Sequence, residues 1–372
     1  MIKVAVIFGT RPEMIKLVSV IKAFAAEKMV RLDVCFTGQH KEMVLPLLDF
    51  FGIHTNHSLD IMQPNQTLAA LTSNAVTAID KYLEEVQPDI VFVQGDTTTA
   101  MCAAIAAFYR RIKIAHVEAG LRTHQIFSPY PEEFNRQVIS RIADLHFAPT
   151  KASQDNLIAE GVKIEHVIVT GNTVIDALLL TNGKLQNSGN QIFANEEWYN
   201  KGRKLVLITG HRRENFGAGF ENICSAIKEL ALTYQDINFV YPVHLNPNVQ
   251  QPVKRLLSGL SNVFLIPPMD YVQFISLMNE SYFILTDSGG VQEEAPSLHK
   301  PVLVMRDTTE RMEAVNAGAA ILVGTETRDI VQNASALIND QELFHKMSNA
   351  GNPFGDGNAA AKIIQETLLY FS

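Results

Sequence analysis

Short apolar runs alternate with amphipathic stretches along nearly the whole chain, and this alternation predicts an α/β protein. KVAVIF (3–8) reads as a strand, and residues 12–27 follow as a helix with Ile15, Val18, Ile21 and Ala25 spaced to share one face. LDVCFTG (32–38), DIVFVQGD (89–96), IKIAHVEAG (112–120), LHFAPT (145–150) and HVIVTG (166–171) are the other strands of this half, with a helix over about 98–110. A polar, weakly periodic stretch (181–203) then interrupts the rhythm, carries the only Trp and reads as a connection near a domain boundary. The alternation restarts with KLVLITG (204–210), INFVYPV (237–243), VFLIPP (263–268), YFILTD (282–287), PVLVMRD (301–307) and AAILVG (319–324), and a terminal helix is predicted over about 358–371.

These strands are almost continuously apolar rather than alternating, which is the pattern of parallel sheets covered on both faces. Two such halves predict two Rossmann-like, doubly wound domains facing a central cleft. In open parallel sheets ligands bind beyond the carboxyl ends of the strands. Six polar clusters fall on that edge: Arg11, the pair Gln39 and His40, Asp96, Glu118, His211, and Asp287 to Gly290.

Composition narrows the class. A chain of 372 residues with 47% hydrophobic residues is long enough for two domains with sizeable cores. The net charge of -8 argues against a general nucleic-acid binder, which needs a cationic surface, but leaves room for a local anion site. The three cysteines, Cys35, Cys102 and Cys224, are far apart in apolar stretches, which points to a reducing compartment. The start, MIKVAVIFGT, lacks the regions of a signal peptide, and no run is apolar for the roughly 18 residues of a membrane span. The expectation is a cytoplasmic protein with no membrane partner.

The strand-end clusters carry the candidate chemistry. DSGGVQEEAP (287–296) follows a strand and opens a helix; Ser288 can cap it, Gly289 and Gly290 allow close backbone approach, and Glu294 lies one turn further in. A diphosphate site and a plainly capped helix start both fit this pattern. GHRREN (210–215) sets His211, Arg212 and Arg213 on a strand-to-helix turn, suited to a phosphate-bearing ligand or to a solvated basic loop. In FGTRPEMIK (8–16), Pro12 suits a helix start, and Arg11 and Lys16 can face a cleft, but this is no Walker A sequence. Asp96 fits a helix N-cap as well as a catalytic acid. His116 and Glu118 share one face of a strand, without the third ligand that a metal site needs. No G-x-G-x-x-G follows the first strand, so a dinucleotide cofactor is not expected.

Taken together, FGTRPEMIK, TGQH, QGDTTTA, HVEAGLRT, PEEFNR, GNTVIDAL, TGHRRENFG, DSGGVQEEAP, TERMEAV and NPFGDG, spread in order from residue 8 to residue 357, resemble the non-hydrolysing UDP-N-acetylglucosamine 2-epimerases. The resemblance implies the glycosyltransferase-B-type fold, with domains at 1–172 and 173–357 and a helix at 358–372 crossing back to the first domain. It implies interconversion of UDP-GlcNAc and UDP-ManNAc through 2-acetamidoglucal, with no metal and no cofactor, in a chain that is usually a homodimer. By motif match the catalytic residues are Asp96, Glu118, Glu132, His211, Arg11 and Lys16. UDP binding falls to Arg11, Arg136, His211, Arg213, Phe274, Ser288, Gly289, Gly290 and Glu294. Gln39, His40 and His244 match a second, activating UDP-GlcNAc site. A hydrolysing epimerase, a UDP-sugar glycosyltransferase and a non-catalytic nucleotide-sugar sensor are the alternatives, each separable by its products.

Overall fold

In a computed structural model, residues 1–63, 65–188, 192–199 and 202–372 are described. The chain divides into two compact units, Met1–Ala177 with Gly355–Ser372, and Leu178–Phe354. Among the described residues the first unit carries β1 (Ile2–Phe8), β2 (Val30–Phe36), β3 (His57–Ser58), β4 (Ile90–Gln94), β5 (Lys113–Val117), β6 (Leu145–Ala148) and β7 (Val167–Val169). These pair in the order β3-β2-β1-β4-β5-β6-β7, every pair parallel. The second unit carries β8 (Leu205–Thr209), β9 (Asn238–Pro242), β10 (Val263–Ile266), β11 (Phe283–Thr286), β12 (Val302–Val304) and β13 (Ala320–Leu322), again all parallel, in the order β10-β9-β8-β11-β12-β13.

The strands hold these positions because they are apolar on both faces. All five residues of β4 and of β8 are buried, as are the last five of β1. Helices then cover both faces of each sheet. In the first unit Ala5, Ile7, Val91 and Val93 pack with Ala103, Ala104 and Ala107 of helix Thr98–Tyr109. Small residues on that helix let it lie close to the sheet. In the second unit Val206, Ile208, Phe239 and Leu285 form the core with Phe220, Ile223 and Ile227 of helix Ala218–Thr233.

Both sheets reverse direction of growth at their first strand. The crevice beyond the carboxyl ends of β1 and β4 is the switch point of the first unit, and that beyond β8 and β11 of the second. Sequence periodicity anticipated twelve of the strands. It missed β3, a two-residue edge strand with no apolar run of its own. Part of the polar stretch 181–203 also differs from expectation: residues 181–188 complete the helix Thr173–Ser188, while 189–191 and 200–201 lie outside the described residues. The terminal helix, Ala359–Tyr370, packs on helix Arg11–Ala26 in the first unit. Among the described residues no helix is long and apolar enough to cross a membrane.

Candidate active site

At the switch point of the first unit, a cavity of about 510 Å³ is lined by Thr10, Pro12, Lys16, Gln39, His40, Asp96, Glu118 and Glu132, among others. The loop after β1 is tied down before it reaches this space. Thr10 caps helix Arg11–Ala26, and Glu13 returns the bond, accepting the Thr10 N–H at 2.7 Å and the Gly9 N–H at 3.1 Å. The other oxygen of Glu13 accepts the Thr97 hydroxyl at 2.6 Å, so one buried carboxyl joins the loops after β1 and β4. Burial is the largest influence on Glu13 and raises its pKa, against the Thr97, Thr10 and Gly9 bonds that lower it. Gly9 has no room for a side chain: a Cβ would lie 2.3 Å from Thr37 Oγ1 and 2.8 Å from Thr99 Oγ1.

The cap of helix Thr98–Tyr109 is Thr97, whose hydroxyl accepts the Ala100 N–H. Asp96 is therefore released from the capping role that its position suggested. Its carboxylate instead accepts Arg136 Nη2 at 2.5 Å, and its carbonyl accepts Asn135 Nδ2 at 2.9 Å. Burial pushes the Asp96 carboxyl up; Arg136 and Lys16 oppose this, while Glu118 and Glu132 add to it. Behind Asp96, the buried His116 is held neutral, its pKa pushed down by burial to about 3. Its Nε2–H therefore donates to the Gly95 carbonyl at 2.7 Å and fixes the turn that presents Asp96.

Glu118 follows β5 in a left-handed backbone conformation, with φ at 63°. For a residue other than glycine that conformation costs about 1–3 kcal/mol and persists only where surroundings enforce it. Here Lys16 Nζ and Asn172 Nδ2 both donate to Oε1, the latter at 3.2 Å, and Gln94 Nε2 donates to Oε2 at 2.5 Å. Glu132 opens helix Glu132–Ile142, where the helix dipole favours a negative charge, and its buried Oε2 accepts no hydrogen bond from the described residues. Its neighbour Glu133 is fully buried and accepts the Thr123 N–H at 3.1 Å and Gln137 Nε2 at 3.0 Å. Burial acts most strongly on Glu133 and raises it, but these bonds and Arg136 outweigh that and leave its pKa lowered. Glu133 braces the loop and Arg136, whereas Glu132 faces the cavity.

Gln39 and His40, after β2, line the same cavity. Gln39 accepts the Thr99 hydroxyl at 2.8 Å, and His40 Nδ1 accepts the Arg11 N–H at 3.4 Å. Burial and then Arg11 lower the His40 pKa. Arg11 itself is not among the residues lining the cavity, although Lys16 is.

In the second unit the loops after β8 and β11 meet at the corresponding place. Asp287 is fully buried, and its Oδ2 accepts the His211 N–H at 2.9 Å, the Arg212 N–H at 2.8 Å and Asn215 Nδ2 at 3.3 Å. His211 stacks on His244, with ring centroids 5.4 Å apart and planes 14° from parallel. Burial lowers the His211 pKa, with Asp287 raising it and His244 and Arg212 lowering it. Ser288 stands at the N-cap position of helix Gly289–Glu294, but its side chain makes no capping bond; its backbone N–H donates to Thr286 Oγ1 at 2.9 Å. A Cβ on Gly289 would meet Glu310 Oε1 at 3.1 Å and Arg212 Nη2 at 3.5 Å, whereas Gly290 is uncrowded. Glu310 in turn pairs with Arg306 at 2.8 Å and Arg311 at 3.3 Å. Arg212, which the motif match passed over in favour of Arg213, is thus a cation against the glycine turn, with Arg311 Cζ 3.7 Å from the same Cβ position; Arg213 is exposed in the turn Arg213–Asn215. Glu294 is buried at the end of its helix, and Phe274 is half-buried on helix Tyr271–Glu280. His244 lies in this unit, Gln39 and His40 in the other.

Among the described residues no group of three His, Cys, Asp or Glu is arranged to hold a metal ion. The sequence profile of the UDP-N-acetylglucosamine 2-epimerase family matches residues 22–368. A UDP-N-acetylglucosamine 2-epimerase of Campylobacter jejuni is 52% identical over 97% of this chain and 96% of that one. One from Escherichia coli K12 is 49% identical over 98% of this chain and 97% of its own length. The crystal structure of the Neisseria meningitidis UDP-GlcNAc 2-epimerase bound to UDP-GlcNAc is 49% identical, covering 99% of this chain and 100% of that one, with a TM-score of 0.89. The two parallel sheets with their alternating helices are the glycosyltransferase-B-type arrangement.

Proposed function

The chain belongs to the UDP-N-acetylglucosamine 2-epimerase family, and we propose that it interconverts UDP-GlcNAc and UDP-ManNAc by eliminating UDP and adding it back, without releasing free sugar. The observation that carries this reading is the gathering of Asp96, Glu118 and Glu132 around one cavity in contrasting environments. Pure binding of an anionic nucleotide sugar gains nothing from three carboxylates. Proton transfer at carbon does, provided the acids differ in their hold on a proton.

The forward half-reaction removes the C2 proton and breaks the C1–O bond to UDP, leaving a C1–C2 double bond in 2-acetamidoglucal. In the reverse half-reaction a proton returns to the opposite face of C2 and a UDP oxygen adds to C1. The C2 hydrogen is weakly acidic, so leaving-group departure has to share the work. Glu118, its oxygens surrounded by three N–H donors, is suited to act as a fixed acceptor. Asp96, pushed up by burial, is suited to hold and deliver a proton. Glu132 brings a further carboxylate to the same cavity. His211, Arg212 and the Ser288–Gly290 turn are assigned to the diphosphate, where preorganised donors stabilise the charge that develops on the departing oxygen. Gln39 and His40 line the cavity of the acids, so an activating nucleotide sugar held by them would border the reacting one.

Incubation with UDP-GlcNAc alone in deuterated water, followed by NMR, tests this. The expected outcome is a mixture of UDP-GlcNAc and UDP-ManNAc with deuterium at C2. Free ManNAc and UDP would point to a hydrolysing epimerase, and UDP-ManNAc without deuterium at C2 would sink the proton-transfer mechanism.

A further inference from the structure

We propose that Asp287 is a positioning residue for the reaction, holding the proton of His211 on Nδ1 so that Nε2 is the ring nitrogen presented to ligand. The inference rests on the reading that His211 serves the leaving group. One buried carboxylate carries an uneven distribution of hydrogen bonds. Asp287 is fully buried, and three donors crowd onto Oδ2, the N–H groups of His211 and Arg212 and the amide of Asn215. Oδ1 is equally buried yet accepts nothing from the described residues. Leaving a buried acceptor unpaired is costly, and such an atom calls for an explanation in another arrangement that uses it.

The atom nearest to that role is Nδ1 of His211, 3.7 Å from Asp287 Oδ1. At this length the two atoms face each other without forming a hydrogen bond. Catalytic hydrogen bonds often tighten from such lengths when ligand binds. A small rotation of the imidazole would close this gap. Its backbone N–H is anchored by the same carboxylate, and one ring face lies on His244. His244 Nδ1 accepts the Asn246 N–H at 3.1 Å, which ties that ring to its own loop. The charged and titratable groups around His211 are therefore Asp287, His244 and Arg212. Of these, Asp287 alone favours the protonated ring, and it can hold a proton only at Nδ1. With Nδ1–H directed at Asp287, Nε2 stays free to accept a proton or, once protonated, to donate to a departing oxygen.

The test has a readout that needs no substrate. Nitrogen-15 spectra of the intact protein should assign the Nδ1–H tautomer to neutral His211. Asp287→Asn keeps an oxygen to accept the His211 and Arg212 N–H groups but turns an amide toward the ring. It should move the population to the Nε2–H tautomer and lower the pH at which His211 protonates. With UDP-GlcNAc it should reduce kcat by about a hundredfold while KM stays within about threefold, the pattern of a lost acid–base orientation rather than lost binding. An Nε2–H tautomer in the unaltered protein would overturn the proposal, as would an Asp287→Asn variant whose His211 tautomer is unchanged. Because the tautomer of the unaltered protein is read without a variant, a poorly folding Asp287→Asn leaves the first of these decisive. If the unaltered protein exchanged no C2 hydrogen, the epimerase reading would fail while the spectra still decided the Asp287–His211 pair.

Discussion

At the scale of single residues, two carboxylates of the first cavity are held differently, and the proposed chemistry depends on that difference. At Asp96, Arg136 and, more weakly, Lys16 work against burial, whereas Glu118 is bonded directly by Lys16, Gln94 and Asn172. Asn172 is informative because its amide is used at both ends. Oδ1 accepts the Val174 N–H at 3.1 Å at the start of helix Thr173–Ser188, which leaves the NH2 group for Glu118. Replacing Asn172 by Asp keeps the acceptor for Val174 but turns the donor to Glu118 into a like charge. Hydrogen bonds to charged groups are worth about 1.5–3 kcal/mol, so kcat of Asn172→Asp should fall by about tenfold or more. Steady-state kinetics beside a circular dichroism spectrum would check this. A variant that is folded and turns over normally would show that Glu118 does not depend on Asn172.

At the scale of elements, the site is made by strand-to-helix turns, and this explains what the sequence made legible. Apolar runs located β1, β4, β5, β8 and β11, and the rule that ligands bind beyond strand ends then pointed to Asp96, Glu118 and His211 before any side-chain geometry was known. What stayed hidden depended on choices between near-equals one residue apart. Asp96 and Thr97 are both good caps, and only tertiary contacts decide that Thr97 caps while Asp96 turns to Arg136. Arg212 and Arg213 are equivalent in composition, and only the turn separates the one near Gly289 from the exposed one. Glu13 was hidden for a different reason, since a glutamate three residues into a helix reads as an ordinary capping box. Its second bond, to Thr97, spans 84 residues of chain. Glu13→Ala would strand the buried N–H groups of Gly9 and Thr10, at about 1–3 kcal/mol each, and destabilise the first unit by about 2–6 kcal/mol. Urea denaturation would register this as a lower midpoint, and an unchanged midpoint would mean that water replaces the carboxylate without loss.

At the scale of the whole molecule, buried titratable groups make stability depend on pH, with opposite signs from acids and histidines. Glu13, Asp96 and Asp176 have raised pKa values, each chiefly through burial, so the folded state holds their protons longer and their contribution falls as pH rises. His116 and His146, side by side on β5 and β6, act the other way. Burial pushes His116 from 6.5 to about 3 and His146 from 6.5 to about 4. The unfolded chain therefore binds more protons at these two sites than the folded one. Their contribution is complete above pH 6.5 and is lost as pH falls toward the folded values. At pH 5 each is lower by about 2 kcal/mol than at pH 8, taking about 1.4 kcal/mol per unit of pKa difference. Because the acids offset part of this, the pH slope of the unaltered protein is a poor measure of either set. The comparison with His146→Leu removes one of the two histidines, one that does not line the cavity. Whatever that substitution does to stability at pH 8, the unaltered protein should lose about 2 kcal/mol more than the variant between pH 8 and pH 5. Urea denaturation of both across that range measures the difference directly. Parallel pH profiles would mean that His146 is protonated as readily in the folded chain as in the unfolded one.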